Sequence, residues 1–245
     1  MSLHLLKTQN FPFGPGLFET FLVEDSSPKF FKDHWERLAH SCTRLGLSFP
    51  FSFQKIKAKI AATAKKNEKC KVRLIYKNKK KGPLLALQFL PLKENPERVI
   101  LAPLTMKPHR LARFKITDRK GYDRLYKLAI SQGAWDALFI SPLKEVLETS
   151  RANLFLVMER GVYTPPANGQ LLPGITRKYI IEILKKLRIP CFEKKVELNE
   201  LLAADEIFVT NSVIGVRSVY QILNLRKKLK EGKLTKKIQI EFAKL

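Results

Sequence analysis

Apolar and polar positions change period several times along the chain, and each change marks an expected element. Residues 17–23, LFETFLV, alternate and predict a strand, which residues 24–28 turn back into Lys29-Phe30-Phe31 as a hairpin. From His34 to Gly46 the apolar residues Trp35, Leu38, Cys42 and Leu45 recur at helical spacing, and Gly46 supplies the stop. A second helix is expected over residues 53–65. Strand-like runs at 71–77 and 84–90 are joined by a lysine-rich turn, and a further short strand at 98–101 lies between proline-bounded segments. Residues 1–13 are poorly patterned, and Gly14-Pro15-Gly16 reads as a turn.

Around residues 104–114 the pattern weakens amid prolines and basic residues, so a domain boundary is placed there: a smaller α+β domain over 1–108 and a larger one over 109–245. The second domain is expected to hold a helix over 123–132 and strands at 137–140, 154–157, 162–164 and 206–210. Between them, LLPGITR at 171–177 runs into a segment whose apolar residues at 180, 181, 183, 184 and 187 have helical spacing, so a helix starts near Thr176. Gly174 lets the backbone approach a ligand closely. The N–H groups of Ile175 and Thr176, unpaired within a helix that starts there, suit a phosphate. There is no internal repeat, and the fold class is α/β (α+β) in two domains.

Composition narrows the function. The 245 residues are enough for a sizeable core. No run of 18 apolar residues and no apolar block in residues 1–10 points to a membrane span or signal peptide, so a cytoplasmic protein is expected. The cysteines 42, 70 and 191 and the histidines 4, 34, 40 and 109 lack disulfide-framework or metal-ligand spacing, so no metal is expected. The formal net charge of +24 is dispersed, with its densest runs at 77–81 and 226–230, and no nucleic-acid-reading motif accompanies it. A solvated basic surface that steers anionic substrates is favoured over a specific nucleic-acid footprint.

Several motifs in one order carry a resemblance. Glu148 followed by Asn153-Leu154-Phe155, then Tyr163-Thr164-Pro165-Pro166 and Leu172-Pro173-Gly174-Ile175-Thr176-Arg177, resembles the class IV, or fold-type IV, pyridoxal-phosphate-dependent aminotransferases. That family includes branched-chain and D-amino-acid aminotransferases and 4-amino-4-deoxychorismate lyase. The resemblance runs from about Gly14 to about Val219 and implies a homodimer acting on a small-molecule amine, with pyridoxal 5'-phosphate as cofactor.

That cofactor needs a lysine that bonds to it, an anion cradle and an acidic partner for its ring nitrogen. The resemblance implies Lys120, at the head of the helical segment LysGlyTyrAspArgLeu, as the covalent lysine and proton carrier, with Lys115 and Lys127 as nearby rivals. It implies Glu148 opposite the ring nitrogen and Arg37, in HisTrpGluArgLeu, on the phosphate, where a planar fork of donors suits a dianion. Ile175, Thr176 and Ser212 would complete the phosphate site. Phe18 and Thr20 alternate onto one strand face and become substrate contacts if that face lines the site; core packing is the equal alternative.

GlyLeuPheGluThr at 16–20 and ThrAsnSer at 210–212 look more like the lyase than like the branched-chain aminotransferases. The lyase reading implies β-elimination of pyruvate to give p-aminobenzoate, a step of folate biosynthesis. Three departures from the family pattern bear on substrate: Asp123 in place of an asparagine, GlyAlaTrpAspAla at 133–137, and AsnLysLysLysGly at 78–82. A branched-chain or D-amino-acid aminotransferase is the second reading. A basic binding protein that kept the fold without the catalysis is the more distant one.

Overall fold

The computed structural model describes residues 16–64, 68–92, 94, 96, 98–108, 111–225, 227–229 and 232–245, and the backbone of 3–5. The turn expected at 14–15, the N-terminal segment around it, His109, and the ends of the basic run at 226–230 lie outside the described residues. The chain forms two compact units, one of residues 1–94 and 114–118, the other of 95–113 and 119–245.

In the first unit, β1 (Leu3–Leu5), β2 (Leu17–Glu24), β3 (Ser27–Pro28), β4 (Lys69–Lys79) and β5 (Gly82–Pro91) form one sheet in the order β1-β5-β4-β2-β3. Two helices, α1 (Phe31–Arg44) and α2 (Phe53–Thr63), belong to the same unit. Alternation along β2 sends Leu17, Phe21 and Val23 into one core with Leu38 and Cys42 of α1 and Ile56 and Ile60 of α2. Phe21 is fully buried, which stabilises by about 2 kcal/mol relative to exposure. Helix α1 begins three residues before the apolar spacing alone places it, because Phe30 adopts a left-handed conformation (φ 52) that lets Phe31 start the helix. Gly46 ends it with φ 67, its N–H bonded to the Thr43 carbonyl at 3.0 Å.

In the second unit, α3 (Lys120–Ser131), α4 (Ile175–Lys186), α5 (Leu198–Ala203) and α6 (Lys233–Ala243) accompany a ten-stranded sheet. Its strands are β6 (Arg98–Thr105), β7 (Asp136–Ile140), β8 (Glu145–Thr149), β9 (Asn153–Met158), β10 (Gly161–Thr164), β11 (Cys191–Glu193), β12 (Val196–Glu197), β13 (Glu206–Asn211), β14 (Gly215–Ile222) and β15 (Lys227–Lys228). The order is β11-β10-β9-β13-β14-β6-β7-β8-β12, with β15 on β14. The strand expected at 98–101 therefore extends to Thr105 and joins this sheet, running parallel to β14 and β7, although the sequence boundary at 108 put it in the first domain. Helix α3 starts at Lys120, three residues earlier than expected.

Central strands of this sheet are buried on both faces. Leu154, Leu156, Ile207 and Val209 enter one core, while Phe155 and Phe208 point the other way and pack with Ile180, Ile183 and Leu184 of α4. Their rings stack with centroids 4.9 Å apart. Among the described residues, no helix is long and apolar enough to cross a membrane.

Candidate active site

In the first unit, Glu19 occupies a position of β2 whose alternating neighbours Leu17 and Phe21 are core residues, and it is 1 % exposed. A carboxylate in that place needs partners, and helix α1 supplies them one turn apart. His34 Nδ1 stands 2.7 Å from Glu19 Oε2, Arg37 Nε donates to Oε1 at 2.8 Å, and Arg37 Nη2 donates to Oε2 at 2.6 Å. Burial alone would push the Glu19 carboxyl up. The adjacent Arg37 charge and the hydrogen bonds from His34 and Arg37 overcome this and bring it down to about 2. Burial lowers the His34 pKa, against the pull of Glu19, so the imidazole is favoured neutral. Arg37 is thus a guanidinium held in a fixed orientation by a buried carboxylate.

Phe18 and Thr20 do share the face of β2 opposite Glu19, where Thr20 lies across from Arg73 of β4. Phe18 is buried between two cations: Arg73 stands 5.0 Å and Lys115 Nζ 4.9 Å from its ring centre. Residues 115–117 run beside the start of β2, with Phe18 N–H donating to the Lys115 carbonyl at 2.9 Å and Thr117 N–H to the Gly16 carbonyl at 2.9 Å. Lys115 is half-buried and within electrostatic reach of His34.

In the second unit, Glu148 of β8 is buried at 7 % exposure. It accepts from Asn153 Nδ2 at 3.1 Å and from the Leu172 N–H at 3.3 Å, while Asn153 Nδ2 also reaches the Leu172 carbonyl at 3.0 Å. Asn153 therefore ties the carboxylate to the loop that leads into α4. Gly174, which caps α4, is required here for a reason the sequence did not show. A Cβ at that position would lie 2.0 Å from Asn153 Oδ1, so the close approach is to Asn153. Ile175 and Thr176 open the helix and are buried, and Thr176 Oγ1 lies 3.3 Å from Ser212 Oγ. Asn211 Oδ1 accepts from the N–H groups of Val213 and Ile214 at 2.9 and 3.0 Å, shaping the turn that presents Ser212. Arg177 anchors the same helix end, donating to the Pro165 carbonyl at 3.0 Å and to Glu193 Oε2 at 2.7 Å.

Lys120 is exposed on the first turn of α3, and so is Lys127 further along it. Beside Lys120, the Tyr122 hydroxyl is pushed up to about 12 by burial and by the charge of Glu148, against the opposing Arg119, and stays protonated. Arg119 lies over the Tyr122 ring at 4.7 Å and donates to the Ser150 carbonyl.

The structure thus brings Glu148 and the group Ile175, Thr176 and Ser212 into one connected frame, and it fixes Arg37 through Glu19. Glu19 and His34 pack against Arg37 and Asn153 against Glu148, contacts that the motifs alone do not reveal. Their signal was present: a glutamate at a core position of a strand, and a histidine one turn before Arg37. The donor set fits pyridoxal phosphate, with a buried carboxylate for a protonated ring nitrogen and two hydroxyls at a helix N-terminus for a phosphate.

Comparison with known proteins agrees with this chemistry. The family model for amino-transferase class IV matches residues 16–222. A branched-chain amino acid aminotransferase of Humulus lupulus is 39 % identical over 108 residues, 42 % of this chain and 28 % of that protein. A Thermotoga maritima protein described as a branched-chain-amino-acid aminotransferase is 38 % identical over 88 residues, 36 % of this chain and 32 % of that protein. These matches span less than a third of each relative's length. Over its whole length the chain superimposes on a Legionella pneumophila structure proposed to be a 4-amino-4-deoxychorismate lyase, with a TM-score of 0.85 and 26 % identity, covering 100 % of this chain and 99 % of that one. With most of its residues matched and the expected donors in place, the chain belongs to the class IV aminotransferases, a family of pyridoxal-phosphate-dependent transaminases and lyases.

Proposed function

We propose that this protein is a 4-amino-4-deoxychorismate lyase, a cytoplasmic homodimer that eliminates pyruvate from its substrate to leave p-aminobenzoate. The observation that carries the reading is the end-to-end structural match, 100 % against 99 %, with a protein of that proposed activity. The segments 16–20 and 210–212 support it, since both resemble the lyase form of the family. Thr20 and Arg73, neighbours on one face of β2 and β4, give that face a hydroxyl and a cation suited to a carboxylated substrate.

The roles follow from the chemistry of each group. Bound pyridoxal phosphate supplies an electron sink for the pair left when the α-proton departs. Glu148, buried and tied to Asn153, is the carboxylate that would hold a proton at the ring nitrogen. Ile175 N–H, Thr176 and Ser212 bind the phosphate, and the family resemblance adds Arg37 as a further phosphate ligand. A lysine must bond to the cofactor and carry the α-proton. Lys120 is assigned the role: it opens α3 in the same unit as Glu148, whose charge acts on the neighbouring Tyr122, and Lys115 and Lys127 are the rival lysines.

A branched-chain aminotransferase is the alternative, favoured by the local identity of 39 %. Purified protein loaded with cofactor should release pyruvate and p-aminobenzoate from aminodeoxychorismate. Turnover of branched-chain amino acids with 2-oxoglutarate, and none of aminodeoxychorismate, would transfer the assignment to the alternative.

A further inference from the structure

Strand β13 carries a group that the site as assigned does not use. Thr210 is 1 % exposed, and its Oγ1 is a buried hydroxyl with no hydrogen-bond partner. A buried hydroxyl left unpaired destabilises a fold, so such a group in a well-packed strand calls for an explanation.

Its position supplies one. Along β13, Ile207 and Val209 enter the core on one face, whereas Phe208 packs with α4 on the other. Alternation puts Thr210 on the α4 side with Phe208. Its cross-strand neighbours agree: Thr210 pairs with Asn153 on β9 and with Val216 on β14, and Val216 belongs to the α4-side core. Directly paired residues of an antiparallel ladder share a face about 5 Å apart. Thr210 is therefore flanked by Asn153, the partner of Glu148, and precedes by two residues Ser212, which meets Thr176 at the start of α4. The unpaired hydroxyl lies between the group assigned to the ring nitrogen and the group assigned to the phosphate.

We propose that Thr210 is a further cofactor-binding residue, its hydroxyl donating to the phosphate arm of pyridoxal phosphate beside Thr176 and Ser212. The inference rests on the cofactor reading above. It accounts for the unpaired group as one whose partner arrives with the ligand.

The test separates binding from folding. Apo protein is titrated with pyridoxal 5'-phosphate, and separately with unphosphorylated pyridoxal, while tryptophan fluorescence is followed; thermal unfolding of each apo protein is measured in parallel. Thr210→Val keeps the shape and removes the hydroxyl, Thr210→Ser keeps the hydroxyl, and Thr210→Ala serves if the valine variant does not fold. The expected result is a loss of phosphorylated-cofactor affinity on the order of tenfold in Thr210→Val or Thr210→Ala. Pyridoxal affinity stays unchanged, Thr210→Ser binds near wild type, and apo Thr210→Val melts no lower than wild type. Equal affinities for the phosphorylated cofactor in wild type and Thr210→Val overturn the proposal and leave the family chemistry standing. A lower apo melting point for Thr210→Val overturns it too, because the hydroxyl then serves the fold. Failure of the wild type itself to bind the cofactor overturns the reading on which the proposal depends.

Discussion

Replacing Glu19 by Gln should unpin Arg37 and change how the protein responds to acid. The Glu19 carboxyl sits at about 2 instead of the ordinary 4.5, a difference equivalent to about 3 kcal/mol in favour of the ionised, folded form. The sign follows from proton binding. Between 4.5 and 2 the unfolded chain holds the proton that the folded chain refuses, so the stabilisation is fully present above 4.5 and drains away as pH falls toward 2. His34, whose pKa burial lowers, acts in the same direction, with its contribution present above the ordinary histidine range and lost on acidification. Removing one member of a buried charged pair leaves Arg37 without its carboxylate and costs about 3 kcal/mol or more at neutral pH. Urea unfolding at pH 7, 5, 4 and 3 measures this: Glu19→Gln should be far less stable than wild type at pH 7, and the gap should narrow below pH 4.5. A gap that stays constant across that range refutes the electrostatic account of the cluster.

Other perturbations probe the second unit. Gly174→Ala places a methyl group against Asn153 Oδ1 and should displace the side chain that holds Glu148; a stability loss of about 2 kcal/mol and weaker cofactor binding are expected from unfolding curves and cofactor titration. Arg177→Met removes the donors to Pro165 and Glu193 at the start of α4. It should weaken phosphorylated-cofactor binding on the order of tenfold while unphosphorylated pyridoxal binds as before, read by equilibrium titration.

How much of this was legible in the sequence differs from residue to residue. The start of α4 beside Thr176 was legible because helix starts have short-range residue preferences, whereas Glu148 and Ser212 were named through the order of the family motifs and not from any local pattern. Strand alternation alone puts Phe18 and Thr20 on one face of β2. Glu19 was not legible as a buried group, since its partners His34 and Arg37 come from α1, fifteen and eighteen residues later, and only packing brings them together. The parallel pairing of β6 with β14 joins segments more than a hundred residues apart, which no local period reports. For the same reason β14 and helix α6, whose Ile238 is fully buried against α4-side residues, were not foreseen. Lys120 was named through the family resemblance at the head of a helical segment, and α3 begins at that residue.

Lys120 is the lysine proposed to bond to pyridoxal phosphate. Purified protein supplied with the cofactor should absorb in the visible and, after borohydride reduction, yield a single cofactor-bearing peptide containing modified Lys120. Modification of Lys115 or Lys127 instead would move the role to that lysine. The absence of an adduct on any lysine would contradict the account and leave the family fold without its chemistry.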